Sequence, residues 1–100
     1  MAAELILAPE AKVDIAEAYA WYEASRFGLG EDFLNAVDAC MESIRRQPDM
    51  FTSVGPGSRR ALARRFPYAI FFDVVDNTVT VYAILHTSRN PSRWRQRIPT

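Results

Sequence analysis

The chain has 100 residues, 49% of them hydrophobic and 24% charged, with no net charge. This is the make-up of one ordinary domain, spanning residues 1–100, that buries about 60 to 70% of its unfolded surface. One cysteine, Cys40, excludes an internal disulfide, and one Cys with one His cannot build a four-ligand zinc site without several carboxylates, so no metal or cofactor is expected. The sequence shows no secretory leader and no apolar run long enough to span a bilayer, so a cytoplasmic location with no membrane contact is the expectation.

Glu4-Leu5-Ile6-Leu7 is too short for a helix before Pro9 and reads as a first strand. Pro9 then opens a helix, since the N–H it lacks would be unpaired at that position anyway. Ala11, Ile15, Ala18 and Tyr22 form its apolar stripe, widened by Ala16 and Tyr19. Trp21 aligns instead with Glu10, Asp14 and Glu17, where it either folds over a neighbouring loop or meets a partner. Phe27-Gly28-Leu29-Gly30 ends this helix with a glycine suited to a left-handed cap. A second helix over Glu31 to Arg46 carries Phe33, Val37, Cys40 and Ile44 on one stripe, and the tight connection makes the pair antiparallel. Its core position makes Cys40 a small buried hydrophobe rather than a nucleophile.

Residues 48–58, rich in Pro and Gly, read as a loop. Arg59 to Arg65 reads as an edge strand, with charges at both ends as a guard against aggregation. Tyr68 to Val75 and Thr78 to Leu85 are rich in β-branched and aromatic residues, and only Asp76-Asn77 separates them, which predicts a hairpin with a type I′ turn and Val75 opposite Thr78. Unbroken alternation from that turn places Tyr68, Ile70, Phe72, Val74, Val79, Val81, Ala83 and Leu85 on a core face. It leaves Phe71, Tyr82 and Ile84 together on the other face, with His86 beside them, as an apolar patch for a partner. Asn90 and Pro91 start a short C-terminal helix bearing Arg93, Trp94, Arg95 and Arg97. The expected fold is α+β: a short N-terminal strand, an antiparallel two-helix hairpin, a three-stranded antiparallel meander and a short C-terminal helix.

The neutral total hides a segregation. Residues 1–50 hold four basic and ten acidic side chains (−6), whereas residues 51–100 hold eight basic and two acidic (+6). Eleven of the twelve basic residues are Arg, whose planar fork pairs with carboxylate or phosphate. Arg59, Arg60, Arg64, Arg65, Arg89 and Arg93, with Trp94, make a basic patch that suits phosphates and stacked bases, so direct nucleic-acid contact is compatible with it, and it equally suits an acidic protein segment. For catalysis, His86 is the sole histidine and so the candidate proton carrier, and Arg65, Tyr82 and Arg89 could join it in cleaving RNA through the 2′-hydroxyl; the competing reading is a strand-end His bonded to backbone.

The order of elements, with Leu-Ala-Pro-Glu-Ala at 7–11, Phe-Gly-Leu-Gly-Glu-Asp-Phe at 27–33, Arg-Arg-Phe-Pro-Tyr at 64–68 and Leu-His-Thr-Ser-Arg-Asn-Pro-Ser-Arg-Trp at 85–94, resembles the RelE/ParE toxin superfamily. The likeness covers nearly the whole chain and is to its ParE, or plasmid-stabilisation, branch. It implies the toxin of a type II toxin-antitoxin system, neutralised by a cognate antitoxin whose acidic, amphipathic C-terminal segment wraps it, with Phe71, Tyr82, Ile84 and Trp21 as antitoxin contacts. ParE-like toxins poison DNA gyrase without hydrolysis, and the basic set with Trp94 would then meet that target. RelE-like relatives are ribosome-dependent mRNA endonucleases, and a third reading is a basic interaction module without toxicity. No Tyr follows Tyr82, which departs from the ribonuclease pattern and favours gyrase binding.

Overall fold

Two tight turns lay out the second half of the chain in the structure, a computed structural model that describes residues 2–88 and 96–97. Asp76 and Asn77 take φ of 49° and 62°, the positive values a type I′ turn requires, and join strands Tyr68–Val75 and Thr78–His86 with Val75 opposite Thr78. Pro56-Gly57 makes a second turn, with Gly57 at φ 75°, between Thr52–Gly55 and Ser58–Leu62. The expected loop over 48–58 therefore holds a 3₁₀ turn, Pro48–Met50, and a strand.

In chain order the elements are β1 (Glu4–Leu7), α1 (Pro9–Ser25), α2 (Leu29–Arg46), β2 (Thr52–Gly55), β3 (Ser58–Leu62), β4 (Tyr68–Val75) and β5 (Thr78–His86). One sheet runs β1-β5-β4-β3-β2, with β1 parallel to β5 and the other pairs antiparallel. The sheet is thus five-stranded and mixed, in place of the expected N-terminal strand beside a three-stranded meander. The C-terminal helix expected from Asn90 lies outside the described residues, and no described helix is long and apolar enough to cross a membrane.

The register departs from simple alternation at one place. Phe72 faces Val81 but Phe71 faces Ala83, so Tyr82 is an extra residue, a β-bulge, on β5. Beyond it the two faces exchange. Ala83 and Leu85, expected in the core, turn to the far face beside Ala69, Phe71 and Tyr82. Ile84, expected on that far face, packs into the main core instead, and His86 turns to the helix side against Tyr68, with ring centroids 5.4 Å apart.

Both helices lie on the face carrying Ile70, Phe72, Val79 and Val81, which are all fully buried. Their hairpin closes on an aromatic cluster: Phe33 stacks on Tyr22 at 5.3 Å and meets Phe66 and Tyr68 edge-on at 5.5 and 5.1 Å. The turn between the helices is fixed by a carboxylate, since Glu23 accepts hydrogen bonds from the N–H groups of Gly28 (3.0 Å) and Gly30 (2.9 Å), two donors that α2 cannot satisfy internally. Gly28 sits at φ 87°, and a Cβ on Gly30 would lie 2.7 Å from the Tyr19 ring, so both glycines are required by geometry.

Candidate functional site

β1 ends opposite Val81, with the Ala8 N–H donating to the Val81 carbonyl at 2.8 Å. Among the described residues no strand lies beside the margin of β5 beyond that point, and α1 runs along it instead. Asp14, only 8% exposed, accepts the Ile84 N–H at 2.9 Å, so a side chain does there what a strand would do. The same carboxylate oxygen accepts the guanidinium of Arg97. An open cleft of about 600 Å³ lies alongside, lined by Asp14, Glu17 and Trp21 of α1, by Tyr68 and His86, and by Ser88 and Arg97.

His86 in this cleft is held by its own turn. The Ser88 N–H donates to Nδ1 at 3.1 Å, which makes Nδ1 an acceptor, and the Ser88 hydroxyl lies 2.7 Å from the same nitrogen. A neutral imidazole so bonded carries its proton on Nε2. Cys40, half-buried, donates its thiol to the Leu62 carbonyl at 3.7 Å, and burial pushes that thiol up to about 11.

On the far face of the sheet, Phe71 and Tyr82 lie 6.4 Å apart, yet they are only 4% and 2% exposed and form a second cluster with Ala69, Ala83 and Leu85. They are not an open apolar patch. Burial raises the Tyr82 phenol, the adjacent Ser58 hydroxyl eases that shift and the Asp73 carboxylate adds to it. Ser58 nonetheless lies outside hydrogen-bonding geometry, and the phenol oxygen is the buried side-chain polar atom without a partner among the described residues. Burial also raises Asp73, against hydrogen bonds from its own N–H and that of Thr80.

The basic set divides. Arg59 donates from Nη1 to the Phe51 carbonyl at 2.7 Å and so braces the end of the 3₁₀ turn. Arg60 is exposed on the far face opposite Phe71, and Arg64 and Arg65 are exposed between β3 and β4. Arg65 stands at φ 71°, its guanidinium 5.5 Å from the Phe66 ring centroid and 3.8 Å from Asp32, which Arg26 also approaches at 3.9 Å. Arg89, Arg93 and Trp94 lie outside the described residues.

Of the residues proposed for RNA cleavage, His86 and Tyr82 project from opposite faces of the sheet and Arg65 is engaged with Asp32 and Phe66, while Arg89 lies outside the described residues. Of the four residues expected to contact an antitoxin, Phe71 and Tyr82 stay together, Ile84 is across the sheet in the core, and Trp21 is 70% exposed at the cleft. Asp14 is the residue that sequence reasoning passed over. Its signal was its position, three after Ala11 and four before Ala18, which is within the apolar stripe rather than beside it.

This architecture is similar to solved structures from toxin-antitoxin systems. A chain of the chromosomal ParDE toxin-antitoxin system from P. aeruginosa superposes with a TM-score of 0.64 at 21% identity, over 84% of this chain and 95% of that one. The isolated E. coli RelE toxin gives 0.66 at 15% identity over 95% of both chains. A RelBE toxin-antitoxin complex from Mycobacterium tuberculosis gives 0.62 at 15% identity, over 86% of this chain and 99% of that one. At these identities the likeness establishes the fold alone. The sequence itself matches the family of the ParE toxin of the type II toxin-antitoxin system, parDE, over residues 5–91, and the chain belongs to that family. Among curated proteins, none matches it significantly.

Proposed function

We propose that the chain is a cytoplasmic toxin that acts by binding DNA gyrase and is neutralised by a cognate antitoxin with an acidic, amphipathic C-terminal segment. The observation that carries a binding action over RNA cleavage is the bulge at Tyr82. It puts His86 and Tyr82 on opposite faces, whereas proton transfer at one phosphodiester needs both groups within hydrogen-bond reach of the same atoms. Poisoning by binding needs only complementary surface. Arg60, Arg64 and Arg65 supply it as exposed cations, with Leu62, 58% exposed, between them in sequence. An acidic antitoxin segment drawn to those same arginines would compete with the target, and Arg60 stands opposite Phe71 in the register of β3 and β4. The −6 and +6 halves of the chain orient that encounter.

The test compares two assays on purified protein: gyrase supercoiling with trapping of cleaved DNA, and mRNA cutting on programmed ribosomes. Gyrase inhibition is expected to persist in His86→Gln and to be lost when Arg64 and Arg65 are both changed to Glu, each variant first shown folded by its melting. Ribosome-dependent cutting that disappears in His86→Gln would instead make the chain an endonuclease.

A further inference from the structure

The cleft between α1 and the β5 margin belongs to neither the gyrase reading nor the basic face, and its chemistry is the opposite of theirs. Asp14, Glu17 and Trp21 are spaced i, i+3 and i+7, so two carboxylates and an indole share one face of α1. Trp21 is 70% exposed, which no need of the core explains. At the inner end, the Arg97 guanidinium sits on Asp14. Asp14 thus already pairs with an arginine head of the chain itself, and Glu17 and Trp21 line the same cleft.

We propose that this cleft is an arginine-recognition site, receiving a guanidinium from a basic segment of a partner protein between the Glu17 carboxylate and the Trp21 ring, with Arg97 as the chain's own occupant of its inner end. An anion is disfavoured, because Arg97, the one cation among the described lining residues, is spent on Asp14 and Glu17 repels negative charge. Arginine suits it better than lysine, since a planar fork pairs with a carboxylate while its face stacks on an indole. The acidic first half of the chain, at −6, favours the approach of a basic segment and repels the acidic one that the arginine-rich half attracts. The two halves would then engage two segments of opposite charge. Arg97 makes the site self-limiting, because a partner's arginine gains full access to the Asp14 oxygen only in the fraction of molecules whose Arg97 has left it.

The probe is N-acetyl-L-arginine amide, titrated against the full chain carrying Trp94→Phe, which leaves Trp21 as the sole tryptophan and fluorescent reporter. Saturable change at Trp21 is expected, with N-acetyl-L-lysine amide binding about threefold more weakly. Glu17→Gln should weaken arginine-amide binding about fivefold, the scale of one exposed ion pair. Arg97→Ala should tighten it about threefold by vacating Asp14. Should that variant fail to melt cooperatively, Arg97→Lys replaces it, with tightening still expected because the fork on Asp14 is lost. The proposal is overturned if Trp21 shows no saturable response, if Glu17→Gln binds as the parent does, or if vacating Asp14 leaves affinity unchanged or lower. None of these readings involves gyrase or toxicity, so failure here leaves the toxin reading standing.

Discussion

α2 and α1 lie side by side on the same sheet face, and their sequences obey different rules. α2 buries Gly30, Phe33, Val37 and Ile44 on one face, opens with Glu31 and Asp32 and closes with Arg45 and Arg46, as the helix dipole favours. Folding alone accounts for that pattern. α1 buries a carboxylate, Asp14, between Ala11 and Ala18, while exposing Val13 at 56% and Trp21 at 70%. It breaks the inside-outside rule in both directions, and such breaks gather where a chain does something besides fold. α2 follows the demands of folding, whereas α1 also lines the cleft beside β5.

Substitutions can separate these roles. The largest loss is expected from Phe33→Ala on α2, which empties a fully buried site in the aromatic cluster and should cost about 3 to 5 kcal/mol, read from urea melts. Asp14→Ala should cost about 1 to 3 kcal/mol, since it orphans the Ile84 N–H and the Arg97 guanidinium. Arg97→Ala added to Asp14→Ala should cost less than it does alone, whereas strict additivity would mean that the two residues do not act as a pair.

A smaller effect distinguishes the helices by pH. Glu42 of α2 has its pKa lowered by its hydrogen bond to Arg45 and, further, by Arg46. A carboxylate whose folded pKa is depressed stabilises the fold above its ordinary value, near 4.5, and that contribution is lost as pH falls through the folded pKa. Glu42→Gln should therefore lower Tm slightly at pH 7 and leave it unchanged once both proteins are fully protonated. The smallest effect is expected from Trp21→Ser, within about 0.5 kcal/mol of the parent in stability. A larger loss would make Trp21 part of the fold and erase the contrast between the helices.

Much of this architecture was legible in the sequence because single residues with strict conformational demands mark it. Asp76-Asn77 fixed the hairpin, Pro9 and Pro48 marked helix limits, and Gly28 took the left-handed conformation at the helix junction. β2 was hidden because Pro56-Gly57, which join two short strands, also fit a loop. The bulge at Tyr82 was hidden for a different reason. From Val81 to Leu85 no side chain is charged, so inverting the two faces moves no charge into the core and leaves no break in the pattern to read. That one inserted residue misassigned Ile84 and His86, and with them the patch and the candidate catalytic group. Arg97 could not be linked to Asp14 from sequence, because 83 residues separate the partners.

Arg65 occupies a backbone position at φ 71°, where an L side chain crowds its own carbonyl at a cost of about 1 to 2 kcal/mol and glycine is spared that cost. An alanine scan across the arginines would misjudge this position, since Ala discards the guanidinium but retains the crowded Cβ. Glycine discards both, so Arg65→Gly is the substitution for which the melting temperature should rise while binding through the arginine surface falls. Two scans of one residue would thus disagree in sign, and their difference measures how much folding stability this loop forgoes to present a cation there.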